Sequence, residues 1–212
     1  MTEQFQSLFR RAEAPFARAK FLSRIFGIFS EEVVALWASD PRSPFQGLGR
    51  PTIKTPGDRR GHTLDFTLRD RSTNLVYVAE MKCEIEYLGF TYFVLERLDQ
   101  LDHHKKPAFA ALLRAAKGDG SQEVYLDGKK IEVHGAILIW GAATDEGKRA
   151  VVEGKGFHTV LTVADICRDL ASWNHKGFQE LIEHRRQWSN ELFDGLLHRS
   201  VDAAQPRVPF AN

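Results

Sequence analysis

The sequence predicts an α/β fold with a mixed central sheet and helices on both faces. Three observations carry that expectation. Residues 62–69 and 75–85 are strand-like runs joined by DRSTN, a turn-forming segment, and together they read as a β-hairpin. Residues 136–140, AILIW, are apolar without alternation, as in a central strand covered on both faces. Beyond them TDEGKRAVVEG, FHTVLTV and ADICRDLASW read helix, strand, helix, which favours a parallel or mixed sheet.

In chain order, residues 4–27 form a first helix, with Phe5, Leu8, Phe9, Phe16, Phe21 and Ile25 at loosely helical spacing and Gly27 at its end. A second helix starts at Ser30 as N-cap, carries Glu31 and Glu32 in its first turn and closes at Pro41. Residues 42–61, rich in Gly, Pro and Arg, read as loop with a short strand near Thr52–Lys54. After the hairpin, 88–105 reads as helix on the stripe Phe90, Phe93, Val94, Leu98 and Leu101. Pro107 breaks it, and a further helix runs to Gly118. An Asp-Gly turn at 127–128 precedes the central strand. Residues 176–198 form a last amphipathic helix, and 201–212 read as a flexible tail. One domain is expected over 1–200. The four tryptophans read as core.

Composition excludes several classes. Of 212 residues, 43% are hydrophobic and 27% charged, enough for a real core and against wholesale disorder. A net charge of +1 excludes a uniformly basic protein but not a local basic groove. Cys83 and Cys167 make neither a disulfide framework nor a zinc pattern and read as buried thiols in a reducing cytoplasm. No apolar run approaches the roughly 18 residues of a membrane span. The basic first thirty residues read as an ordinary helix rather than a transit segment.

The chemistry lies in NLVYVAEMKCEIEY, residues 74–87, where Glu80 and Lys82 interrupt an apolar strand. If Ser72 and Thr73 are the hairpin tip, Asp65 faces Glu80 with Cβ atoms about 4.5–5.5 Å apart. Lys82 shares the Glu80 face, because side chains alternate with period two. Two adjacent carboxylates repel unless one is protonated or a cation joins them. Mg²⁺, with Mn²⁺ as substitute, takes oxygen ligands from one or two carboxylates and completes its shell with water and phosphate. Such an ion activates a bound water, and the neighbouring ammonium can assist.

Asp65, a turn, then Glu80-Met81-Lys82 at a strand end resembles the PD-(D/E)xK nuclease superfamily, the restriction-endonuclease-like fold. The resemblance covers about 28–172 and implies an α-β-β-β-α-β core. It implies Asp65 and Glu80 as metal ligands with the Met81 backbone carbonyl, Lys82 as the catalytic lysine, Glu31 or Glu32 as a further ligand from the first helix, and Gln100 as a supporting residue. The proline that precedes the Asp in the family is Leu64 here, and His104 stands where one branch has a tyrosine four residues after the Gln. The implied activity is metal-dependent cleavage of phosphodiester bonds, in DNA before RNA.

The stretch 50–71 sets Arg50, Lys54, Arg59, Arg60, Arg69 and Arg71 against Asp58, Asp65 and Asp70, a net +3, so Arg59, Arg60, Arg69 and Arg71 are candidate phosphate contacts. HHKK at 103–106 reads as a solvated or phosphate-facing helix end, since adjacent histidines on a helix diverge by about 100°. The apolar face of 176–198 suits either its own core or a homodimer. The alternatives are a silent nucleic-acid-binding or assembly module on the same fold and a hydrolase of small phosphodiesters.

Overall fold

The structure, a computed structural model, describes residues 15–198 except 84, 87–90 and 119. Helix α1 (Pro15–Ser39) is followed by β1 (Phe45–Gly49), β2 (Thr52–Lys54), β3 (His62–Thr63), β4 (Phe66–Asp70), β5 (Val76–Lys82), β6 (Ile85–Glu86), β7 (Thr91–Tyr92) and β8 (Val94–Leu95). A 3-10 turn (Leu98–Leu101) leads to α2 (Pro107–Ala116), β9 (Glu123–Leu126), β10 (Lys129–Ile131), β11 (Ala136–Trp140) and β12 (Ala142–Ala143). The chain continues through α3 (Asp145–Lys155), β13 (Thr159–Thr162), α4 (Val163–Ser172) and α5 (Lys176–His198). It divides after Leu170 into two compact units, where one domain was expected over 1–200.

The first unit is an α/β layer structure around a five-stranded sheet of order β1-β4-β5-β11-β13. Strands β1, β4 and β5 are antiparallel, while β5, β11 and β13 are parallel, so β5 is the pivot of a mixed sheet. The apolar run at 136–140 is the central strand β11, every residue of which is at most 1% exposed. Burial of each large side chain there contributes roughly 1.5–3 kcal/mol. On one face Val78, Leu138, Trp140 and Val160 pack with Phe109 and Leu112 of α2 and Val151 of α3. The opposite face takes α1 and α4: the Trp37 ring lies 6.2 Å from Phe45, and Trp37 Nε1 donates to Asp169 at 2.9 Å. A second sheet, β10-β9-β2-β3, has four strands. Its β9–β10 turn is the predicted Asp-Gly pair, with φ of 49° at Asp127 and 76° at Gly128.

Several expectations need correction. Helix α1 runs unbroken through Gly27 and Ser30, so Gly27 ends nothing and Ser30 is no N-cap. A mid-helix glycine costs about 1 kcal/mol relative to alanine, which tertiary packing absorbs. Ser30 is buried, with Oγ 3.4 Å from the Tyr92 hydroxyl. The segment 42–61 holds a full strand, β1, as well as β2. The helix expected over 88–105 is absent among the described residues: β7, β8 and the 3-10 turn stand there, and β8 pairs with β12. Phe90 and the helical reading of 4–14 lie outside the described residues, as does the tail 201–212.

In the second unit α5 starts at Lys176, where His175 Nδ1 accepts from the Phe178 N–H at 3.1 Å. Trp188 is 49% exposed, so it is not core as expected. The dimer expectation rests on this helix, and its Leu192, Phe193 and Leu196 side chains lie outside the described residues. Among the described residues no helix is long and apolar enough to cross a membrane.

Helix α3 begins at the N-cap Thr144, whose Oγ1 accepts from Gly147 N at 3.0 Å. A Cβ on Gly147 would overlap the Leu95 carbonyl oxygen, so this helix abuts the 95–96 backbone only because residue 147 has no side chain. Gly147→Ala is expected to cost about 2 kcal/mol, or about 4–8 °C in melting temperature, which a thermal melt would read.

Candidate active site

The candidate site forms where β5 outruns its antiparallel neighbour. The ladder pairs Phe66 with Ala79 and Thr67 with Val78, the predicted register, which sets Asp65 opposite Glu80. Beyond that pair Glu80 to Lys82 have no β4 partner, while β11 still pairs Leu138 with Glu80 and Trp140 with Lys82. The chain enters β4 from the second sheet through Leu64, whose N–H donates to the Pro51 carbonyl at 3.0 Å. That crossing releases Asp65 from any ladder. Its Oδ2 accepts from the Met81 N–H at 2.8 Å, taking the donor that β4 leaves unpaired.

Glu80 is 8% exposed. Lys82 Nζ lies 2.5 Å from Glu80 Oε1 and 3.2 Å from the Met81 carbonyl oxygen, to which it donates. The other Glu80 oxygen, Oε2, is buried with no hydrogen-bond partner among the described residues. Burial raises the Glu80 carboxyl above its usual range and Asp65 adds to the rise, against the pull of Lys82. Glu31 of α1 is raised for the same reasons, burial first and Asp65 second. Arg50 spans the two, with Nη1 3.2 Å from Glu31 Oε2 and Nη2 3.3 Å from Asp65 Oδ1.

Glu31, Asp65, Glu80, Met81 and Lys82 line one cleft of about 520 Å³, which residues 103–106 also border. It lies at the carboxyl ends of β5 and β11, the usual place for a ligand site on a parallel sheet. The Cys83 thiol, which also lines the cleft, is pushed up to about 12 by burial, as is the Tyr92 hydroxyl, so both stay protonated. The two cysteines lie close enough to influence one another, which their separation in sequence concealed.

The donor set fits a hard cation. It is made of oxygens, and one of them is a buried carboxylate oxygen without a partner, which is costly unless a proton or a cation meets it. Among the described residues no three His, Cys, Asp or Glu side chains gather into a metal-binding group, so water or phosphate oxygens would complete the shell.

Compared with protein-family models, curated proteins and solved structures, the chain matches none.

Of the residues singled out from sequence, Asp65, Glu80, Met81 and Lys82 come together in the cleft. Glu31 joins them, whereas Glu32 lines an apolar groove between α1 and β1. Gln100 does not join them. Its Oε1 accepts from the Glu96 and Arg97 N–H groups at 2.7 and 2.8 Å, and its Nε2 donates to the Val94 carbonyl at 2.9 Å. It therefore closes its own loop, as suits a residue that is not on the expected helix.

Arg59, Arg60, Arg69 and Arg71 do not line the cleft either. Arg71 donates to the Ser43 and Asp40 carbonyls at the far end of the hairpin. Arg69 stands four strand residues from Asp65, about 13 Å along the strand. Arg59 and Arg60 are exposed on the β2–β3 loop.

Arg50 bridges Glu31 and Asp65, and Lys105 and Lys106 border the cleft. Only the fold shows that Arg50 occupies the gap between Glu31 and Asp65. Removing it should free both carboxylates. Arg50→Gln is expected to tighten Mn²⁺ binding up to about tenfold by calorimetry, the size of two half-exposed ion pairs.

Proposed function

We propose that the chain is a metal-dependent nuclease that hydrolyses phosphodiester bonds, in DNA before RNA, with a PD-(D/E)xK-type site. The observation that carries this reading is the buried Glu80 carboxylate, one oxygen held by Lys82 and the other without a partner, facing Asp65 in a solvent-reaching cleft. A purely structural ion pair has no use for the second oxygen or for a second carboxylate beside it.

Asp65 and Glu80 would hold Mg²⁺ or Mn²⁺, with water or phosphate oxygens completing the shell. When bound, the ion would polarise a phosphoryl oxygen and acidify a water. Lys82 supplies an ammonium at the same point, where it orients the attacking water and offsets charge that develops on phosphate. Asp65 also fixes the Met81 peptide, so the carboxylates and the lysine are held by one backbone segment. The fully buried β11 behind them keeps that segment rigid.

Arg50 bridging Glu31 and Asp65 favours a second reading, a nucleic-acid-binding module in which arginine permanently takes the place of a cation. Calorimetry separates the two. The nuclease reading expects Mn²⁺ to bind the wild type and not Asp65→Ala. Equal or absent heats in both proteins would favour the module.

A further inference from the structure

We infer that residues 103–106 are the substrate-phosphate grip of this cleft, with Lys105 and Lys106 holding backbone phosphates of the nucleic-acid strand whose bond reaches Lys82. The inference rests on the nucleic-acid reading of the site. Its first support is position. All four residues border the cleft that Asp65, Glu80 and Lys82 line. The Phe109 ring connects the two parts: Lys82 Nζ lies 5.8 Å from its centroid, and the His104 ring centroid lies 5.2 Å from it.

The second support is charge. Each cation near the carboxylates has a carboxylate of its own: Lys82 holds Glu80, and Arg50 holds Glu31 and Asp65. Lys105 and Lys106 are exposed and hold no carboxylate among the described residues, although three stand in the same cleft. Ammonium groups kept beside acidic residues without pairing to them are available to an external anion.

The third support is anchoring. The His104 ring lies 5.7 Å from Trp140 and 3.9 Å from His103, and the His104 N–H donates to the Leu101 carbonyl at 3.1 Å. The backbone of the segment is thereby fixed while the lysine stems project, so little order is lost when phosphate binds. A cleft of about 520 Å³ takes a drug-sized volume, enough for a short piece of one strand to enter it.

The test measures binding apart from cleavage. The full chain is titrated in EDTA against a fluorescein-labelled oligonucleotide, single-stranded and duplex, by anisotropy at several salt concentrations. Losing two phosphate contacts should lower the slope of log affinity against log salt by about 1.4 for the single strand or about 1.8 for the duplex. Lys105→Ala/Lys106→Ala should show that loss with an unchanged melting temperature, and Lys105→Arg/Lys106→Arg should restore the slope. A wild-type slope and affinity in the alanine pair would overturn the inference, even if the wild type cuts DNA. The expected loss in a protein that never cuts would leave the grip standing and remove the nuclease reading alone. Absence of any oligonucleotide binding by the wild type would remove both.

Discussion

Lys82→Ala is expected to lower metal-dependent cleavage by about 10²–10⁴-fold, the range for losing a positioned proton-transfer or charge-stabilising group. Cleavage rates at saturating metal, with substrate varied, measure it, and the loss should fall on the rate more than on substrate affinity. On the proposed reading Lys82 acts at the reacting centre, beside Glu80, whereas the cleft's other ammonium groups, on Lys105 and Lys106, border it from another segment. Folding should suffer as well. Without Lys82 the Glu80 carboxyl keeps its burial and its Asp65 neighbour and loses the influence that lowers it, so it takes up a proton at still higher pH. Lys82→Met, which keeps the stem over Phe109, distinguishes lost charge from lost packing.

Glu80→Gln is expected to abolish Mn²⁺ binding and cleavage while melting no lower than the wild type at neutral pH. The sign follows from linkage. A carboxyl raised above its unfolded value keeps its proton longer in the folded state, so stability falls as pH rises from the unfolded value near 4.5 through the folded one. Glu31 is raised as well and has the same sign. Metal-free wild type should therefore lose stability above about pH 4.5 over the window in which these two groups ionise. Glu80→Gln should flatten part of that loss, and saturating Mn²⁺ should raise the wild-type melting temperature alone. Thermal melts across pH with EDTA or Mn²⁺ check all three. A strained charge that weakens the fold and strengthens on ligation is the usual mark of a functional group.

The facing of Asp65 and Glu80 was legible in the sequence because hairpin register is local. The turn at 70–74 fixed which residue faces which, and the ladder from Phe66–Ala79 onward keeps that register. The central strand was legible because AILIW is apolar on both faces. What failed depended on partners distant in sequence. The β1 segment FQGLG has no strand-like alternation. It is a strand because β4 supplies its backbone bonds and because Gly47 lets α1 approach: a Cβ there would lie 3.3 Å from Ala38 Cβ. Residues 91–101 carry aromatic and branched side chains at spacings that suit a helix. Pairing of β8 with β12, near 142, and the loop-closing Gln100 decide otherwise. The arginines of 50–71 are one patch in the sequence, yet the fold spreads them from Arg50 at the carboxylates to Arg71 at the tip of the hairpin.

The most direct measurement incubates the purified chain with supercoiled, linear and single-stranded DNA in Mg²⁺, Mn²⁺ or EDTA, beside Asp65→Ala and Lys82→Ala. Cleavage that needs the metal and disappears in both variants is the predicted result, and the preferred DNA form would then name the substrate. Cleavage that persists in EDTA, or that the two variants retain at the wild-type rate, would contradict the assignment of Asp65, Glu80 and Lys82.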